Sequence, residues 1–531
     1  MSKDGMVATG HPLATAAGIE ALRRGGNAMD AAIAAALTTG VVIPAMNGLG
    51  GDAFILYHEA KTGKVTAING SGIAPRKADL EYFQERNYEK MPFFGPLSIA
   101  VPGAVHAYFT AMDRFCRLDR EDLFRNAIRY ADQGFPLTHG GSRIIAGSAD
   151  RLAEYDASRD VFLRDGKAPA PGSIFRQTNL AKTLNTVKQG GPEVFYRGEI
   201  AERIAAYVQK IGGLLTKEDF ADHESEVYDP IKTDYRGYTV YQTTIPSQGH
   251  IVLEELNIIA NADVKSMGAN SADAIHLMVE AKKLAFADRL AYSGDPRFVD
   301  VPLDKMLGPE FAKDRYREID MRRSKDQVNA GLIPEHVGDT TYLCTMDGDG
   351  NAVSLITSLS AGFGSQVVAG DTGVTLNNRA ARGFTLEEGH PNVIASGKRT
   401  MHTLNCYLIT QNGGIRWVGG TPGGDGQPQW NMQVISNIVD FGMNEQEAVE
   451  APRWMSFPGT DPINLPNDFS LRIEGRVGDA VIEELGARGH RVSVLADWAG
   501  GGDAQLIGMD PETGVIFGGS DARGEGLALG I

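Results

Sequence analysis

The residues that suggest chemistry most directly are Asp339-Thr340-Thr341, which follow a polar stretch and open an apolar, strand-like run. A hydroxyl is a weak nucleophile at neutral pH and needs an adjacent base. A threonine that is the first residue of a chain carries such a base, its own α-amine. A free α-amine has a pKa of about 7.7–8.0, so a useful fraction is unprotonated near neutrality. The amine is released when the same hydroxyl attacks the carbonyl of Asp339 and water opens the resulting ester. This chemistry asks for a threonine at the start of a strand, after a segment able to leave, and Thr340 has that placement. Taken alone, a threonine pair in a strand has the commoner structural meaning, because threonine favours strands.

Other signals carry less. Asp347-Gly348-Asp349-Gly350-Asn351 resembles the start of a calcium loop, but Ala352 and Ser358 stand where an EF-hand needs glycine and glutamate, so a hairpin turn is expected. Asn47–Gly51 and Pro422–Gly426 lack the Lys-Ser/Thr ending of a phosphate-binding loop. Cys344 falls mid-strand and reads as core. His11 and His250 have no spacing partners for a metal, and no metal or cofactor is expected.

The elements that must position Thr340 are legible in outline. A helical pattern runs from His11 to about Leu37, broken at Gly25-Gly26-Asn27. The glycine-rich loop Met46–Asp52 leads into a strand, Ala53–His58, and a hairpin through Lys61–Lys64. Residues 100–330 read as mostly amphipathic helix, clearest over Ala274–Ala291 and Pro309–Ile319. Residues 320–338 are polar and read as a surface linker. Hairpin signals follow: Thr340–Met346 with Ala352–Ser358, Val374–Leu376, and Leu404–Thr410 with Ile415–Val418. A helix is expected over Gln429–Val439, then a βαβ-like tail.

The net charge of −16 argues against a nucleic-acid binder and against an anionic membrane surface. Three cysteines cannot close a disulfide framework. The N-terminus has no apolar signal core, and 31–44 is too short to span a bilayer. The expectation is a soluble cytoplasmic protein.

Residues 338–378, beginning GDTTYLCTMDGDGNAVSLITSLSAGFGSQ, resemble the processing site and following hairpins of the γ-glutamyltranspeptidase (glutathione hydrolase) family of N-terminal-nucleophile hydrolases. Residues 7–35 are similar to that family too, as are NGLGGDAF (47–54), VPGAV (101–105), GKRTMHTL (397–404), TPGGDGQ (421–427) and SDARGEG (520–526). The resemblance implies an α/β fold, a four-layer αββα sandwich. It also implies a precursor cut into a large subunit, 1–339, and a small subunit, 340–531, which together form one structural unit. By the same resemblance Thr340 is the nucleophile. Ser358 stands where the family has a threonine that orients the nucleophile. Gly423 and Gly424 match the pair whose N–H groups form the oxyanion hole, where close approach to a tetrahedral oxyanion suits glycine.

The substrate positions depart from the glutamyl pattern. Ser71 replaces an arginine that holds the glutamate α-carboxylate. Arg379 and Arg382 replace a glutamine and an aspartate that hold its α-amine. His402-Thr403 replace a serine pair, and Ser360 an asparagine. Two guanidinium groups repel an ammonium and invite a carboxylate, although structural roles for both arginines are the competing explanation. The expected substrate is therefore a small, carboxylate-bearing amide without an amine, as in the oxamate amidohydrolase and acylase-like members of the family. Glutathione hydrolysis or γ-glutamyl transfer, β-lactam (glutaryl or cephalosporin) acylation chemistry, and an unprocessed binding protein are the alternatives. The expected partners are the acidic amide and the two subunits of one precursor, with a homodimer of processed heterodimers open.

Overall fold

The computed structural model describes residues 1–326, 328, 339–458 and 468–531. Of the expected linker 320–338, residues 327 and 329–338 lie outside the described residues.

Two antiparallel sheets form the centre. The first has seven strands in the order Leu527–Gly530, Gly5–Thr9, Asp339–Asp347, Ala352–Ser360, Asp52–Glu59, Lys64–Gly70 and Glu226–Tyr228. The second has six: Ile516–Ser520, Gln505–Met509, Gly414–Gly420, Tyr407–Gln411, Tyr238–Gln242 and Ile231–Tyr235. Side chains alternate across each strand. One set of Met6, Phe54, Leu56, Tyr342, Cys344 and Ile356 meets Leu404, Cys406, Leu408, Val418 and Ile507 from the other sheet. The opposite faces carry Ile55, Leu343 and Leu355 against one helical layer, and Tyr235, Val240, Ile409 and Leu506 against another. Strands covered on both faces read as continuous apolar runs, which is why Ala352–Ser360 is buried at every position. This is the expected αββα order of layers.

The first helical layer is anchored by Pro12–Arg23 and Ala28–Val42. Asn27 and Asp30 form a reciprocal capping box at the start of the second helix. That helix is buried on almost every side, which explains its run of alanines. The opposite layer contains Gly249–Ile259, Ala272–Tyr292 and Gly426–Val439.

Three expectations change. The stretch 100–330 is not helix alone; it donates Glu226–Tyr228, Ile231–Tyr235 and Tyr238–Gln242 to the sheets, short strands whose polar alternation hides them among helices. Val374–Leu376 makes isolated bridges, Val368 to Thr375 and Gly50 to Leu376, rather than a strand. The helix expected from Gln429 starts at Gly426. In the tail, Ser470–Glu474, Asp479–Ala487 and Val492–Leu495 form the expected βαβ unit with parallel strands.

Candidate active site

The strand Asp339–Asp347 opens one residue before Thr340 and pairs with Ala352–Ser360. Thr340, Ser358 and Asp52 continue the inward-facing alternation of Tyr342, Ile356 and Phe54, so the three lie in a row across adjacent strands. Thr340 Oγ1 donates to Ser358 Oγ at 3.2 Å. The register shifts between Thr357 and Ser360, so that Ser360 pairs with Asp339. Ser360 sits at φ 90°, strained for a residue with a Cβ. Its N–H donates to Ser358 Oγ at 2.7 Å. The bulge thereby turns a backbone donor onto the hydroxyl that accepts from Thr340.

Facing Thr340 is the turn Thr421–Asp425, between Gly414–Gly420 and the helix Gly426–Val439. Gly423 and Gly424 have φ 127° and 55°, and a Cβ on Gly423 would lie 2.1 Å from Trp430 Cζ3. Glycine is required here by backbone conformation and by space. The Gly423 carbonyl accepts from Gly426 N at 2.9 Å and that of Gly424 from Gln427 N at 3.2 Å. Neither glycine N–H donates to any group among the described residues. Two unspent donors on a fixed loop are what a developing oxyanion needs.

Thr340, Thr341 and Gly423 share the wall of a cavity of about 320 Å³. The wall is largely apolar, from Val42–Met46, Leu137, Ile144, Phe363 and Trp430, with His11, Arg143, Asp503, Arg523 and Glu525 as its polar members. Arg523 is held by Glu474 and Asp521. Glu525 accepts from Gly140 N at the start of the helix His139–Ala153. Burial lowers the His11 imidazole to about 4 despite the Glu525 charge. Burial, aided by Asp521 and Glu525, pushes the Asp503 carboxyl up to about 7.

The residues expected to bind substrate lie elsewhere, on the other side of the nucleophile row. Asp52 Oδ2 accepts from Arg379 Nε at 3.1 Å and His402 Nε2 at 3.0 Å, and its Oδ1 accepts from Gly72 N at 2.8 Å. Burial opposes the charge on Asp52, but His402, Arg379 and the Gly72 N–H together hold its carboxyl below the ordinary value. Burial and the Arg379 charge lower His402 to about 4. The neutral ring donates from Nε2 and accepts at Nδ1 from Leu404 N at 3.3 Å. Arg379 Nη1 reaches Thr403 Oγ1 at 3.5 Å, and Arg382 Nη1 donates to the Ser360 carbonyl at 3.3 Å. Arg379, Arg382, His402, Thr403 and Ser360 are at most 3% exposed. The two arginines are thus not an open cationic patch on the cavity, and one of them faces a carboxylate of the protein itself.

Asp52 was not singled out from sequence. Its signal was an acid closing a glycine-rich run, but its role depends on a register no local pattern reveals. Ser71 hydrogen-bonds Asn69 through its N–H and hydroxyl, and its carbonyl accepts from Arg399. Cys344 is in the inter-sheet core with its thiol pushed up by burial, consistent with packing. One cluster, His276, Glu280 and His490, has metal-ligating types. His276 Nδ1 and His490 Nε2 share a hydrogen bond of 2.8 Å and Glu280 is held by Lys283, so these groups already have protein partners.

A threonine at the opening of a strand, sharing a cavity wall with a glycine turn between two stacked sheets, is the arrangement of an N-terminal-nucleophile hydrolase. The family described as "Gamma-glutamyltranspeptidase" matches residues 14–531, and the chain belongs to that family. It is 39% identical over 536 residues to the "Glutathione hydrolase-like YwrD proenzyme" of Bacillus subtilis (strain 168), covering 99% of this chain and 98% of that one. It is 35% identical to the "Oxamate amidohydrolase proenzyme" of Klebsiella pneumoniae, over 100% and 99% of the two chains. The crystal structure of cephalosporin acylase from Bacillus halodurans superposes with a TM-score of 0.92 at 37% identity, covering 100% of this chain and 96% of that one.

Proposed function

We propose that the protein is made as a precursor, cuts itself between Asp339 and Thr340, and hydrolyses an amide of a carboxylate-bearing acid through an acyl-Thr340 intermediate. The observation that carries this is the Thr340–Ser358 contact at 3.2 Å opposite the unspent N–H groups of Gly423 and Gly424. In the precursor, Thr340 Oγ1 attacks the Asp339 carbonyl, the C–N bond breaks with the proton going to nitrogen, and water opens the ester. The freed α-amine then takes the hydroxyl proton when Thr340 attacks substrate. The tetrahedral oxyanion rests on Gly423 and Gly424, and collapse expels the amine with that proton. Water repeats the addition and releases the acid.

The acid half is assigned to the arginine side. Asp52 already pairs with Arg379 and accepts from His402 and Gly72, so its charge is not available to grip a substrate ammonium. Arg382, whose Nη1 donates to the Ser360 carbonyl, is the group assigned to the carboxylate, while Arg379 pairs with Asp52 and reaches Thr403. Oxamate satisfies this chemistry. The cavity favours a second reading beside it. A volume of about 320 Å³ lies at the lower end of the roughly 300–1,000 Å³ of small-molecule pockets, which suits a substituted amine of the acylase kind.

A denaturing gel tests the processing. Bands of roughly 36 and 21 kDa, from ordinary size arithmetic, are expected in place of one 57.0 kDa chain, and Thr340→Ala stays whole and inactive. A single full-length band in an active preparation would sink the reading and favour an unprocessed protein. Parallel assays on oxamate, glutathione and glutaryl amides test the substrate. Strong glutathione turnover that is indifferent to Arg379 and Arg382 would restore the glutathione hydrolase or transferase alternative.

A further inference from the structure

The oxyanion loop is not held by its own turn alone. Beneath it lies Gln248, fully buried at the start of the helix Gly249–Ile259. Its main chain is bound to the other wall of the site, with Gln248 N donating to the His402 carbonyl at 2.9 Å and His402 N to the Pro246 carbonyl at 2.7 Å. Its side-chain Nε2 donates to the Gly424 carbonyl at 3.0 Å and also to the Thr403 carbonyl. Its Oε1 accepts from Arg289 Nη1, and the same guanidinium nitrogen pairs with Asp425 at 2.9 Å. Arg289 and Asp425 are themselves buried.

We propose that Gln248 is a positioning residue for the oxyanion hole: its amide, oriented by Arg289, fixes the Gly424–Asp425 peptide, and through it the conformation of the two glycine peptides before it, whose N–H groups serve the acyl-Thr340 chemistry. The choice of residue follows from donor and acceptor inventory. A guanidinium only donates and a carbonyl only accepts, so a group joining them must accept at one end and donate at the other. A carboxamide does both. The second bond, to the Thr403 carbonyl, ties the loop to the segment that carries His402 and Thr403, so one side chain sets the spacing of the two walls. The Asp425 ion pair pins the residue after the glycines from the same arginine. This deepens the acyl-Thr340 reading and rests on it.

Gln248→Glu separates positioning from packing. It keeps the volume and the acceptor for Arg289, but turns an acceptor toward the Gly424 carbonyl. Gln248→Met removes both polarities at similar volume. Displacement of a catalytic group by about 1 Å costs up to about 100-fold, so both variants are expected to lengthen the half-time of self-cleavage by about 10–100-fold. In the processed fraction kcat falls by a similar factor while KM stays within about threefold. A boronic acid that mimics the tetrahedral adduct loses affinity in step with kcat, whereas the free acid product keeps its affinity. Should Gln248→Met fail to fold, Gln248→Glu carries the test. Wild-type cleavage and kcat in Gln248→Glu would overturn the proposal, as would a loss that falls equally on product affinity. A wild-type protein that never cleaves would defeat the acyl-Thr340 reading instead.

Discussion

The two sides of Thr340 are built on opposite principles. On one, Asp52, Arg379, Arg382, His402 and Thr403 are sealed from solvent and tied to one another or to backbone. On the other, a cavity of about 320 Å³ is open and mostly apolar. Buried charges hold each other in one geometry and leave little freedom for a poorly matched guest. An apolar hollow imposes shape more than chemistry. One side therefore resists changes of charge and shape, and the other tolerates them.

The comparison can be broken at four points. The largest effect is expected from Asp52→Asn, which leaves Arg379 in a sealed site without its carboxylate. Breaking such a pair costs about 3–5 kcal/mol, readable by denaturant unfolding of the processed protein. A loss below about 1 kcal/mol would mean the cluster is wetter than its burial implies. Next comes Gly423→Ala, whose Cβ meets Trp430. Alanine keeps the N–H but shifts it, and displacing one oxyanion donor is expected to cost as much as losing it, about 10²–10³ in kcat; unchanged kcat would remove the loop from the mechanism. Third, Arg382→Gln is set against Arg143→Ala at the cavity. A charge-assisted hydrogen bond is worth about 1.5–3 kcal/mol, so Arg382→Gln raises KM for an acidic amide by about 10–100-fold, while Arg143→Ala changes it by less than about threefold. The reverse ranking would move the acid into the cavity. The smallest effect belongs to Asp503. Its carboxyl titrates from 3.8 in the unfolded chain to about 7 in the folded one, so between those values the native state holds a proton the unfolded state has released. Stability therefore falls as pH rises through that window. Asp503→Asn should flatten the fall in Tm between pH 5 and pH 8; an unaltered slope would reassign it to other groups.

The placement of Thr340 at a strand opening was legible because the strand and its turn lie within a short stretch of sequence. The same holds for Gly423-Gly424, where close backbone approach leaves a glycine signature. The layers were legible from apolar runs long enough to be covered on both faces. What escaped depends on distant pairing. Asp52 acquires meaning only when the register places it beside Ser358, and Gln248 only when three segments meet around its amide. Arg379 and Arg382 were visible as charges, but a sequence does not show that Asp52 lies against Arg379. The strands Ile231–Tyr235, at the edge of its sheet, and Tyr238–Gln242, next to it, were missed because partly exposed strands carry polar alternation instead of an apolar run.

The strand order has a consequence for the pieces left by a cut before Thr340. In the seven-stranded sheet Gly5–Thr9 is flanked by Leu527–Gly530 and Asp339–Asp347, and in the six-stranded sheet Tyr238–Gln242 pairs with Tyr407–Gln411. The fragments are therefore braided. Each leaves gaps in a sheet that only the other can fill, so neither has a complete core to fold around. The chain must be whole to be woven and cut to be active, which makes self-cleavage a record that folding has already succeeded.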